Sequence, residues 1–191
     1  MTTALFFHGY GQNGLFFKDQ RRMHKVASLF EDKGYQVFFL NGFQTCPSIQ
    51  NGCNKPYTWM TNSQQLDDHI HKLLMNFNNN TLYLIGFSEG SVFIDVLLRY
   101  YNINKLRYNI SIKGAIFCAG HINTSILTEI PSIPTLHIWG NKDDMVEPYL
   151  SKKLYKKYKK KHSLTFYYTH NKSHLFPLTT TVLSIIADFI Q

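Results

Sequence analysis

The sequence predicts a doubly wound α/β domain, a mostly parallel sheet of about six strands flanked by helices. Three observations carry this. Short runs rich in Leu, Ile, Val and Phe alternate with longer segments whose apolar residues recur at helical spacing. The strand-like runs are apolar on both faces, the pattern of strands covered by helices on either side. The chain has 191 residues, 44% of them hydrophobic, and no linker, repeat or low-complexity block divides it, so residues 1–191 are read as a single domain.

The elements follow in order. Residues 4–7 form a short apolar run, and residues 22–30 place Met23, Val26 and Phe30 on one helical face. Gly34 stops that helix, as glycine just past a last turn commonly does. Residues 36–40, QVFFL, are the next strand, followed by a long polar loop over residues 41–60. Residues 63–77 carry Leu66, Ile70, Leu73, Leu74 and Phe77 at 3.6-residue spacing. The strand at 81–85 runs into a helix over 89–101, and further strands are read at 111–118, 135–139 and 164–168. A lysine-rich helix lies between the last two strands, and residues 178–190 close the chain with Val182, Leu183, Ile186 and Ile190 facing inward.

Composition excludes several function classes. No apolar run is long enough to span a bilayer, and the first residues carry no basic leader or cleavage site, so a cytoplasmic protein is expected. Three cysteines, Cys46, Cys53 and Cys118, show no zinc spacing and are read as reduced thiols. The net charge of +8 is concentrated in residues 151–162, SKKLYKKYKKKH, which hold seven lysines. That segment reads as an amphipathic helix with a solvated lysine face, weakly attracted to acidic surfaces, and not as a nucleic-acid site. Asp67, Asp68, His69 and His71 share one helix, where they read as a solvated face and not as metal ligands. No cofactor or metal motif is present, and the sequence leaves the oligomeric state open.

Chemistry gathers at the strand ends, where such sheets bind ligands. In LYLIGFSEGSVF a strand turns into a helix within about three residues, with Ser88 between Gly86 and Gly90. The G-x-S-x-G pattern in that context is a nucleophile elbow, which holds a serine hydroxyl out above the sheet. A serine needs a base to take its proton, and the base needs an acid to orient it. Both follow Ser88 in the order Ser, Asp, His. Asp143 and Asp144 come after one strand, and His170 and His174 after the next.

Together HGYGQNG, GFSEG, WGNKDDMVEP and HNKSHLFP resemble the FSH family of small serine hydrolases, within the α/β-hydrolase superfamily, from residue 8 to residue 177. The resemblance implies an α/β-hydrolase fold with a minimal lid. It matches Ser88 to the nucleophile, Asp143 to the acid and His174 to the base, and it makes the backbone N–H of Tyr10 the second oxyanion donor beside that of Glu89. Glu89 stands where the family has glutamine, and Asn171, Lys172 and Ser173 stand where it has Pro-Gly-Gly. His8 is read as structural, His121 as a polar surface residue and Asp95 as structural. Among the bulky residues of the 41–60 loop, Trp59 matches a family tryptophan and is expected to wall an acyl pocket, whereas Ile49 and Met60 are as readily pins to the core. The expected activity is hydrolysis of small-molecule acyl esters with medium or long apolar acyl groups. A thioesterase, a lysophospholipase-like enzyme, or an idle hydrolase fold used for binding are the alternatives.

Overall fold

A computed structural model describes residues 1–19, 21–47, 52–123 and 128–190. Its centre is a six-stranded sheet of β1 (Thr2–Phe7), β2 (Gln36–Leu40), β5 (Thr81–Phe87), β6 (Ser111–Cys118), β7 (Thr135–Gly140) and β8 (Thr165–His170). The order is β2-β1-β5-β6-β7-β8, and every neighbouring pair is parallel. Two further strands of two residues each, β3 (Gln44–Thr45) and β4 (Tyr57–Thr58), pair antiparallel inside the 41–60 loop.

Alternation along the strands explains the two layers of core. In β1, Leu5 and Phe7 face one side while Ala4 and Phe6 face the other. In β5, Leu82 and Leu84 oppose Tyr83 and Ile85 in the same way. The first face is covered by α3 (Ser63–Asn76), α4 (Glu89–Asn104) and α5 (Pro148–Lys159). The second is covered by α1 (Gly14–Asp19), α2 (His24–Glu31) and α6 (Thr180–Phe189). Helices on both faces are what strands apolar on both faces require.

Helix α4 lies most deeply, with Val92 to Leu98 buried without interruption. Its one buried acid is matched: Asp95 receives Arg99 Nε at 3.0 Å and the Tyr158 hydroxyl at 2.9 Å. A carboxylate removed from water is tolerated only with such partners. Asp95 therefore ties α4 to α5.

The chain leaves β1 for β2 on one side and returns through β5 on the other. The switch point thus falls between the carboxyl ends of β1 and β5, where a cleft forms because the connections diverge. The end of β1 delivers His8 to Gly11 there, and the end of β5 delivers Ser88. Within the 41–60 loop, Ile49 lies outside the described residues. Cys46, Cys53 and Cys118 form no disulfide.

Candidate active site

Ser88 joins β5 to α4 with φ 53° and ψ −119°, a conformation that L-residues adopt only under constraint. The constraint is the close pass of neighbouring backbone. A Cβ on Gly86 would fall 2.7 Å from Gly90 C, and one on Gly90 would fall 2.2 Å from Phe7 O. Only glycine fits at either place. The Ser88 N–H is held by Cys118 O at 2.8 Å, which fixes the turn against β6.

The Ser88 hydroxyl lies 2.9 Å from His174 Nε2. The opposite nitrogen, Nδ1, reaches both oxygens of Asp143, at 3.0 and 2.8 Å. Asp143 is buried, and its Oδ1 also accepts the backbone N–H groups of Met145 and Val146 at 3.0 and 2.9 Å. The carboxylate is therefore anchored by its own loop before it meets the imidazole. With Nδ1–H donating to Asp143, Nε2 is left as the acceptor that faces Ser88. Gly140 makes the meeting possible. A Cβ there would stand 2.2 Å from Lys172 O, so the acid loop and the loop bearing His174 could not close on each other.

The neighbouring candidates separate cleanly. Asp144 is exposed. His170 is tucked at the end of β8, where its Nδ1 accepts from Lys172 N at 3.3 Å. Burial lowers the pKa of His170, Lys172 lowers it further, and Asp143 works against both. His8 is buried and donates from Nδ1 to Gly9 O at 2.8 Å, while Nε2 accepts from Gly42 N at 3.0 Å. Burial pushes its pKa down to about 4, and the bond to Gly9 only partly offsets this.

Two backbone N–H groups lie near the turn. Glu89 is the first residue of α4, where a helix leaves its amides unpaired. Tyr10 follows Gly9, whose missing Cβ would lie 3.2 Å from the Phe87 ring and 3.4 Å from Ser88 Cβ. The loop is braced from outside: Gly9 N donates to Gln12 Oε1, Gly11 N to Tyr57 O, and Tyr57 N to Gln12 O. Among the described residues the N–H groups of Tyr10 and Glu89 have no protein acceptor.

A cleft of about 520 Å³ opens at Ser88 and Glu89, lined by Met60, Val92, Ile122, Val146 and Leu150 with His121 and Asn123 at its polar side. Two expectations need correction. Trp59 does not wall this cleft. It is fully buried, its Nε1–H donates to His8 O at 2.8 Å, and its ring packs on Phe7, Phe43 and Phe93. An indole among apolar rings, with its one polar atom satisfied, is a core side chain, and Met60 beside it turns to the cleft instead. His121 is the second correction: it lines the cleft and bonds its own loop through Ile122 O at 3.2 Å.

Sequence reasoning missed Val92 and Val146, which stand four and three residues after Ser88 and Asp143. That spacing was the available signal. The carboxylate of Glu89 has a defined place as well. It accepts the Thr58 hydroxyl and, at 3.2 Å, the backbone N–H of Trp59. Burial raises its pKa, and these two bonds oppose the shift. No cluster able to hold a metal ion is present among the described residues.

A family profile described as serine hydrolase (FSH1) matches residues 1–185. The chain belongs to this serine hydrolase family. Esterase CG5412 of Drosophila melanogaster is 29% identical over 111 residues, 56% of this chain and 38% of that protein. Esterase GA18864 of Drosophila pseudoobscura pseudoobscura is 29% identical over the same length, 37% of that protein. The match to this member of the serine hydrolase family thus spans well under half the length of either relative. Among solved structures, a Bacillus cereus carboxylesterase superposes with a TM-score of 0.66 at 17% identity, covering 98% of this chain and 86% of the other. Arabidopsis thaliana SOBER1 superposes with a TM-score of 0.68 at 16% identity, covering 100% and 98%. These likenesses are of fold, and the fold is that of the α/β-hydrolases.

Proposed function

We propose that the protein hydrolyses carboxylic esters of apolar acyl groups through a Ser-His-Asp acyl-enzyme mechanism. The observation that carries this reading is the continuous relay from the Ser88 hydroxyl through His174 to Asp143 at hydrogen-bond distances. His174 Nε2 takes the Ser88 proton as the oxygen attacks the acyl carbonyl, and Asp143 holds the imidazole and balances its charge. The oxyanion is received by the N–H groups of Tyr10 and Glu89, each such donor supplying a few kcal/mol, about 3 in measured cases. His174 then protonates the leaving alcohol, and water repeats the sequence on the acyl-enzyme to release the acid.

The acyl group lies along Met60, Val92, Ile122, Val146 and Leu150. Each buried methylene contributes roughly 0.8 kcal/mol, so kcat/KM on p-nitrophenyl esters should climb with chain length until the cleft is full. The esterase relatives agree with a small acyl ester as substrate. Thioesters offer the same carbonyl with another leaving group and are the second reading within this chemistry.

The test is a fluorophosphonate probe together with the ester series. Ser88→Ala should lose labelling and lower hydrolysis about 10⁴-fold or more, with an unchanged circular dichroism spectrum. Labelling that persists in Ser88→Ala, or a flat chain-length profile in the parent protein, would reject the serine assignment or the apolar pocket respectively.

A further inference from the structure

Helix α5 buries Ser151, Leu154 and Tyr158 and turns its other side to solvent. At about 3.6 residues per turn, Tyr149, Lys152, Lys153, Lys156 and Lys160 gather on that outer side, and all five are exposed. Nearby lysines are engaged elsewhere. Lys161 pairs with Glu129 at 3.5 Å, and Lys159 donates to Ser163 O and Thr165 O. Lys152, Lys153, Lys156 and Lys160 make no ion pair among the described residues.

The stripe begins at the cleft. Val146 and Leu150 line its wall, while Met145 and Tyr149 beside them are 69% and 60% exposed. Asp144 and Glu147 are the exposed carboxylates at this end, and the four lysines follow within three turns. Residues 151–162 contain no acid at all. The apolar face of α5 is committed to the core, so its outer face can meet a partner only peripherally.

We propose that the outer face of α5 docks on an anionic lipid surface and brings the mouth of the cleft to it. Ammonium groups suit phosphate and carboxylate headgroups, and each basic residue near such a surface adds to the attraction. Tyr149 and Met145 then meet the apolar boundary beneath the headgroups. Docking stands on charge and exposure. Delivery of a lipid-borne acyl ester to Ser88 rests, in addition, on the hydrolase reading above.

Co-sedimentation of the full chain with phosphatidylcholine vesicles, with and without about 30 mol% phosphatidylserine, reads docking directly. The protein should partition onto the anionic vesicles alone and leave them at about 0.5 M salt, where screening is short-ranged. Combined Lys152→Gln, Lys153→Gln, Lys156→Gln and Lys160→Gln should lower that partition by about tenfold or more and spare hydrolysis of a soluble short-chain ester. Equal partition onto neutral vesicles, no partition, or partition indifferent to these substitutions overturns the proposal. Tighter, lysine-dependent binding of a single-stranded RNA oligomer than of the vesicles overturns it in favour of a nucleic acid. Ser88→Ala should sediment like the parent, so failure of docking and failure of the hydrolase reading remain separable.

Discussion

Asp143 and Asp144 are adjacent and chemically alike, yet only one can orient the imidazole. Asp143 is buried, receives two backbone N–H groups and meets His174 with both oxygens, while Asp144 points to water. Asp143→Asn should lower kcat about 10⁴-fold, because an amide offers Nδ1–H a poorer acceptor and permits the wrong tautomer. Asp144→Asn should change it little, and steady-state kinetics on one soluble ester ranks the two. Glu89 acts at the same scale through its side chain. Glu89→Ala would leave the Thr58 hydroxyl and the Trp59 N–H without their acceptor, at about 1–3 kcal/mol for donors shut from water. A lower urea midpoint and a lower kcat are expected, whereas Glu89→Gln, which keeps an oxygen for Thr58, should retain most of both.

At the scale of elements, the site depends on how loops are tied to strand ends. Trp59 follows β4, donates to His8 O, and so fastens the 41–60 loop to the carboxyl end of β1 just before Gly9 and Tyr10. Trp59→Ala removes a fully buried ring and leaves a cavity, so it should cost about 3–5 kcal/mol of stability. The check is chemical denaturation. If Trp59 lined the cleft instead, Trp59→Ala would keep its unfolding midpoint and alter only the chain-length profile. Gly140 serves the other side of the site, where the acid loop and the loop carrying His174 pass each other at backbone distance.

For the molecule as a whole, two buried histidines work against stability in acid. His137 stacks on Phe117 beneath α5, and burial lowers its pKa from 6.5 to about 3. His8 is lowered to about 4, also by burial. Below pH 6.5 the unfolded chain binds these protons and the folded chain does not, so these two groups lower the unfolding free energy as pH falls; His170 acts in the same direction, and Glu89 and Asp95, whose pKa values burial raises, oppose it. Each group contributes a slope of about 1.4 kcal/mol per pH unit between 6.5 and its folded value. Urea melts from pH 7 down to pH about 4.5 should show this loss, and His137→Phe should reduce the slope by about one proton.

The layers of the fold and the order of the chemistry are legible along the chain. Both-face apolar strands and 3.6-residue periodicity are short-range signals, and they place all six sheet strands within about two residues of those observed. The first strand was set to start at residue 4, and it begins at Thr2. The GFSEG turn is equally local: its two glycines and the positive φ of Ser88 belong to one tight bend. The residues alone offer Asp143 or Asp144 and His170 or His174; the family resemblance points to Asp143 and His174, and the tertiary structure brings that pair together where Gly140 and the 172–173 backbone converge from different strands. It also turned Trp59 inward and Met60 outward. Side-chain direction in a loop follows from its distant partners, here Gln12, His8 and Glu89 for residues 57–59, and no periodicity along the chain records them.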